Sequence, residues 1–375
     1  MIHDKPELIL YSHSITLNLH KSLDLWSEFY QYDSYTYLTN NSIPDSSNFF
    51  IDQAIFRSFS PEGPINISYS STSTVCIMIA ETSFINILKL TNSGGGYFIY
   101  DANSVVSIRN CFINTSIQVG TEYLSSIVGN AFSSRVHSSI QSLNYLIQST
   151  ISQCGNILSN DLYLLKYGQI LSKETNISDC TVYRNAGGVN EIDNNCTNIL
   201  YNTYSRNIGG DFGRLLYVAY SNKTIKYCSF IQNEISSGGL IYIQYGAITQ
   251  VILCSFYKNS AKVFIGLGTD SSNYCTLINC SVLDNVWKTA LTYTEKINTS
   301  CIGHDKFIVF PNVYTPGLCI WDDMNLYSIK EKSCQFQRIG FPFIYLFIFI
   351  LNVGKIDWNL KNRLEPKHFV GIKIH

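Results

Sequence analysis

The sequence predicts an all-β chain wound as a right-handed, single-stranded parallel β-helix, and three observations carry that expectation. A nine-residue phrase recurs six times between Ile151 and Asn285: an apolar residue, two variable ones, Cys, Ser or Thr, an aromatic or Val, two variable ones, then Asn. Its Cys position falls at 154, 180, 202, 228, 254 and 280, in steps of 26, 22, 26, 26 and 26. A fixed period in this range marks stacked supersecondary units. The segments between corners are short, rich in β-branched and aromatic residues, and cut by Asn and Gly, so they read as strands. Because each unit repeats the same path, equivalent strands run parallel, with rungs about 4.8 Å apart. About ten rungs fit the repeat region. The handedness is that of β crossovers generally.

The clearest copies are Ile225-x-x-Cys228-Ser229-Phe230-x-x-Asn233 and Val251-x-x-Cys254-Ser255-Phe256-x-x-Asn259, followed by Leu277-x-x-Cys280-Ser281-Val282-x-x-Asn285. Upstream stand Ile177-x-x-Cys180-Thr181-Val182-x-x-Asn185 and Ile199-x-x-Asn202-Thr203-Tyr204-x-x-Asn207, with a worn copy around Cys154. In a coil, the apolar residue, the Cys and the aromatic face inward, and the intervening Ser or Thr faces out. The closing Asn suits a left-handed turn, and stacked Asn side chains can hydrogen-bond from rung to rung.

In chain order, residues 1–48 form an N-terminal cap, with Leu19, Leu23, Trp26, Phe29 and Tyr30 at helical spacing. Such a cap covers the first open edge. The Met1–Leu10 stretch carries Asp4 and Glu7 and does not read as a secretory signal. Residues 49–300 form the coil. Its early rungs are degenerate: Ile79-x-x-Thr82-Ser83-Phe84 fits, Cys111-Phe112-Ile113-Asn114 reads as out of register, and 116–150 reads as a lateral loop or a longer rung. In the best-formed unit, Arg214–Tyr220 and Thr224–Phe230 read as strands and Asn233–Gly239 as a loop. Residues 301–338 read as an irregular C-terminal cap. Ile339–Val353 carries no charge, and with it 339–354 is either a single membrane-spanning helix or a buried cap, since spans usually need about 17–25 apolar residues. The 355–375 tail is basic and suits a cytoplasmic side.

Composition narrows the function. The net charge of −1 offers no basic field for nucleic acid. Twelve cysteines with no CxxC pair argue against a zinc knuckle. The repeated Cys154, Cys180, Cys228, Cys254 and Cys280 read as a buried column of free thiols, with pairing open among the other seven. No metal, cofactor or catalytic residue is assigned. His13 and His20, His304-Asp305 and Asp322-Asp323 each lack the partners a site requires. Arg184 and Arg206 read as stacked turn charges. Outward positions carry Asp179, Tyr201, Tyr227, Leu253 and Asn279, one acid and not a cluster. Tyr183, Tyr201, Tyr227 and Tyr257, at variable positions of successive units, form a candidate binding face.

Phe230-x-x-Asn233 and Phe256-x-x-Asn259, with Gly187-Gly188-Val189 and Gly238-Gly239-Leu240 between motifs, resemble the FxxN and GGA[ILV] repeats of polymorphic outer-membrane proteins. That resemblance implies a right-handed β-helix of the pectate-lyase-like kind and a surface adhesin, but no GG here precedes Ala. The family's terminal barrel cannot fit in the 90 residues after Asn285. The expected function is a non-enzymatic scaffold, at the cell surface or secreted, that binds a glycan or an extracellular protein. Two alternatives stand beside it: a carbohydrate-active enzyme with its site in irregular loops such as 116–150, and a partial gene product without independent function.

Overall fold

The structure is a computed structural model that describes residues 7–10, 25–30, 36–37, 48–59, 63–69, 73–90, 94–118, 129–156, 161–191, 197–210, 213–220, 222–291 and 297–303. All belong to one compact unit. It is a parallel β-solenoid of about eight turns with almost no helix, two turns fewer than the repeat suggested.

One lap shows the construction. Lys223–Lys226 lies on a first face, and the chain bends at Tyr227-Cys228. Ser229–Ile231 forms a second face, ending at Gln232-Asn233. Glu234–Gln244 forms a longer third face, with a bulge between Ile235 and Gly239. After Tyr245-Gly246 the chain returns as Ile248–Ile252, in register beside Lys223–Lys226. The sequence reading therefore missed one corner, at Tyr227, and took part of the third-face strand for a loop.

Strand pairing fixes which residues stack. Phe56, Phe84, Phe112, Ile151, Ile177, Tyr204, Phe230, Phe256 and Val282 form one continuous inward column. Its aromatic members lie nearly parallel: the Phe84–Phe112 centroids are 4.9 Å apart, the Tyr204–Phe230 centroids 5.0 Å. Burial of each such ring contributes roughly 1.5–3 kcal/mol, and the stack makes the core a continuous hydrophobic axis. Phe112 belongs to this column, so the Cys111–Asn114 stretch is in register after all. The lap that contains 116–150 is simply longer; Asn110 meets Ser149 one lap and 39 residues on.

Each corner uses a residue with positive φ. Tyr201, Tyr227, Leu253 and Asn279 hold φ of 51–57° at the first corner. Arg206, Gln232, Lys258 and Asp284 hold 52–54° at the second. The left-handed residue is thus the one before the Asn, not the Asn itself. An exposed side chain there leaves the following residue free to turn inward.

The amino-terminal residues cover the first edges as well as a flank. Glu7–Leu10 pairs antiparallel with Ala54–Arg57, and Thr36–Tyr37 pairs with Phe49 and Phe50. The helix is a short turn at 25–29. Trp26 and Tyr30 are buried against the outer side of the first face, with Phe50, Met78 and Val106. The Tyr30 hydroxyl donates to the Ile77 carbonyl at 2.7 Å. No helix among the described residues is long and apolar enough to cross a membrane. Of the expected irregular cap 301–338, residues 301–303 instead end the strand Ile297–Gly303, which pairs with the preceding rung; the rest of it, 339–354 and 355–375, with His13, His20, His304, Asp322 and Asp323, lie outside the described residues.

Candidate functional site

Two internal ladders define the corners. At the second, Asn207 N donates to Asn233 Oδ1 at 3.1 Å, Asn233 N to Asn259 Oδ1 at 3.0 Å, and Asn259 N to Asn285 Oδ1 at 2.9 Å. Each Asn amide also reaches a carbonyl one rung below, as Asn233 Nδ2 does to Tyr204 O at 2.9 Å. Buried backbone groups at a bend need such partners. At the first corner Cys228, Cys254 and Cys280 occupy the same role, their thiols donating to the carbonyls of Ile199, Ile225 and Val251.

Cys154 and Cys180 do not continue that thiol column. They occupy the Asn column of the second corner: Cys180 N donates to Asn207 Oδ1, and Cys180 Sγ to Ile151 O. The physical reason is that both corners share one grammar: an inward apolar residue, a spacer, a left-handed residue, a small inward polar residue, a spacer, then an inward apolar residue. The phrase matches either corner, and the odd step of 22 between Cys180 and Asn202 is the shift from one to the other. Asn185 accordingly leaves the ladder and pairs on the third face with Asp161 and Arg214, its amide bonded to Asp161. Cys76, Cys154, Cys180, Cys228, Cys254, Cys275 and Cys280 are buried free thiols; Cys111 is disulfide-bonded. Burial pushes the Cys180 and Cys254 thiols up, so they are poor nucleophiles. The hydroxyl column expected to face solvent is buried at Ser229, Ser255 and Ser281, where successive serines stand in line.

Outside, the first corner carries a chain of polar contacts. Arg109 Nη1 lies 3.2 Å from Glu81 Oε1, Arg109 Nε donates to Gln148 Oε1, and Gln148 Nε2 donates to Glu174 Oε2 at 2.8 Å. The row continues as Tyr201 and Tyr227, stacked at 4.8 Å and 15°. The other two tyrosines of the candidate face lie elsewhere. Tyr257 is on the second face beside Ile231, and Tyr183 follows Thr181–Val182 on the third. Asp179 belongs to the second corner, where Arg206 grips it through two hydrogen bonds of 2.6 and 2.7 Å. Arg184 and Arg206 therefore do not stack. Asn279 is exposed at a corner, although Cys280 beside it points inward.

The richest outer surface is on the third face. Arg135 lies over the Tyr100 ring at 4.2 Å and over Tyr167 at 5.1 Å. Its Nε is 3.1 Å from Asp101 Oδ1, close enough for an ion pair but not aligned as a hydrogen bond. Further along, Tyr217 and Tyr242 stand in register with centroids 6.3 Å apart, and Arg214 lies 5.0 and 3.9 Å from them. At the adjoining corner Tyr220 and Tyr245 stack at 4.6 Å, both more than two-fifths exposed. Guanidinium–ring contacts of this kind are attractive by about 0.5–2 kcal/mol. The sequence carried one signal for this surface: Tyr217-x-x-Tyr220 recurs a lap later as Tyr242-x-x-Tyr245. Nothing local linked Arg135 to Tyr100, which precedes it by a lap.

Acidic groups are dispersed. Glu81 and Glu174 belong to the corner row, Asp101 pairs with Arg135, Asp161 with Asn185 and Asp179 with Arg206. Among the described residues no group of three His, Cys, Asp or Glu could hold a metal ion. No family model matches the chain, that of the polymorphic outer-membrane repeats included, and no curated protein or solved structure matches it.

Proposed function

We propose that this chain is a non-enzymatic binding scaffold whose third outer face takes a glycan or an extracellular protein. The observation that carries the reading is the pairing of half-buried tyrosine rings with arginine across rungs, at Tyr100–Arg135–Tyr167 and at Arg214–Tyr242, with Tyr217 itself buried beside them. Tyrosine supplies large contact area at low entropic cost, and a rigid sheet holds it in place. The FxxN-like repeats favour display at a cell surface or after secretion. The dispersed acids weigh against glycoside chemistry, which needs two carboxyls about 5–9.5 Å apart.

The test is affinity electrophoresis of the purified full chain through gels containing a panel of polysaccharides, with reducing ends assayed in parallel. Retardation without new reducing ends, lost in Tyr242→Ala, supports a scaffold. New reducing ends would favour the alternative, a carbohydrate-active enzyme.

A further inference from the structure

Tyr220 and Tyr245 are the two exposed tyrosines among the described residues, at 43% and 45%, and they lie on each other. They close the third face on successive laps, just after the paired Ala219 and Gln244, and Tyr220 N donates to Gln244 O at 3.3 Å. Both backbones are left-handed, with φ of 69° and 58°, which turns each side chain out of the corner. The rings are 4.6 Å apart between centroids and 11° from parallel.

A ring pair in this arrangement covers its own inner faces. Its edges, with the hydroxyls and the ring carbons ortho to them, stay side by side and open to solvent. Those carbons are where a phenoxyl radical carries its unpaired spin. Two such radicals held in contact combine far faster than two that must meet by diffusion.

The other tyrosine pairs fit less well. Tyr201 and Tyr227 stack at 4.8 Å, but both are half-buried, and the Lys226 ammonium lies 4.7 Å from the Tyr227 ring centroid. A cation there makes removal of an electron harder. Tyr217 and Tyr242 are 6.3 Å apart, and Tyr217 is buried.

We propose that Tyr220 and Tyr245 form a site of oxidative cross-linking, joined ortho carbon to ortho carbon as a dityrosine by a peroxide-driven one-electron oxidant. Each phenol gives up one electron and its hydroxyl proton. The two ring carbons then bond, and the hydrogen displaced from each moves to its own oxygen, restoring both phenols. One hydrogen peroxide takes up the two electrons and two protons and becomes two waters. The new bond ties two neighbouring laps covalently at an outer corner, and it restricts the unfolded chain as a cross-link does.

The test treats the purified, dilute full chain with hydrogen peroxide and a haem peroxidase, and reads dityrosine fluorescence and peptide masses after trypsin digestion. A peptide pair joined through Tyr220 and Tyr245, lighter by two hydrogens, should be the main product, as a link within one chain. Its yield should be at least about tenfold higher from the folded chain than from the chain in urea. Tyr220→Phe and Tyr245→Phe keep the stacked rings and the melting temperature, and each should abolish the product. Tyr227→Phe should leave it unchanged. Coupling mainly between chains or at other tyrosines, equal yields from folded and unfolded chain, or no coupling at all would overturn the inference.

Discussion

Phe230 and Phe256 stack one rung apart, with centroids separated by 4.6 Å and ring planes 8° from parallel. Both are fully buried, and each continues the column that runs from Phe56 to Val282. Phe230→Ala would open a cavity that parallel neighbours cannot collapse into, at a cost of about 3–5 kcal/mol. Ser229→Ala, beside it, removes a buried hydroxyl and should cost only about 1 kcal/mol. Urea denaturation of the two variants gives the comparison; equal losses would contradict a core that depends on the stacked ring column.

The Asn ladder makes a different demand. Asn233 accepts from Asn207 N and Nδ2 at 3.1 and 3.0 Å and donates to Tyr204 O and Asn259 Oδ1 at 2.9 Å. Asn233→Ala leaves buried donors and acceptors without partners and should cost about 3 kcal/mol. Asn233→Asp keeps the acceptor but loses the donor and buries a charge beside Asn259 Oδ1, so it should be no better. A melting temperature within error of the unaltered chain for either variant would remove the ladder from the account.

Backbone strain is located at the corners. Leu253 holds φ 51°, a conformation that costs an ordinary L residue about 1–2 kcal/mol. Leu253→Asn should therefore be neutral or stabilising, whereas the β-branched Leu253→Val should destabilise. The reverse order in chemical denaturation would contradict the left-handed corner.

Cys275 provides a pH test. Burial pushes its thiol from the ordinary range up to about 12. Its folded value exceeds the unfolded one, so its contribution is fully present below about pH 8.5 and is lost as pH rises through the folded value. Stability should fall between pH 9 and pH 11, values chosen to lie inside that window, and Cys275→Val should flatten the fall. An identical slope in the variant would show that other groups dominate.

Much of the coil was legible because inward residues recur where each lap repeats: Ile225, Cys228, Phe230 and Asn233 return almost unchanged as Val251, Cys254, Phe256 and Asn259. What misled was local degeneracy. Cys154 and Cys180 satisfy the same short grammar as Cys228 while standing at the other corner, and only strand pairing separates the two. The third face was harder to read because its bulge and its lap-to-lap length changes break periodicity. The clasp of Arg135 by Tyr100 and Tyr167 joins residues with no common spacing. The pairing of Tyr201 with Tyr227 was visible from the period, but the distance of Tyr183 and Tyr257 from them follows from corners that the sequence reading had not placed.

The central claim is that the chain advances by one rung per lap, stacking equivalent corners. Nitroxides carried on encoded side chains at positions 179, 206, 232, 258 and 284 would sample one corner row, whose internal partners are 26 residues apart from Asn207 to Asn285. Electron–electron distances from position 179 should grow by about 4.8 Å per lap, reaching about 19 Å at position 284. Distances that scatter without regard to lap number would contradict the coil.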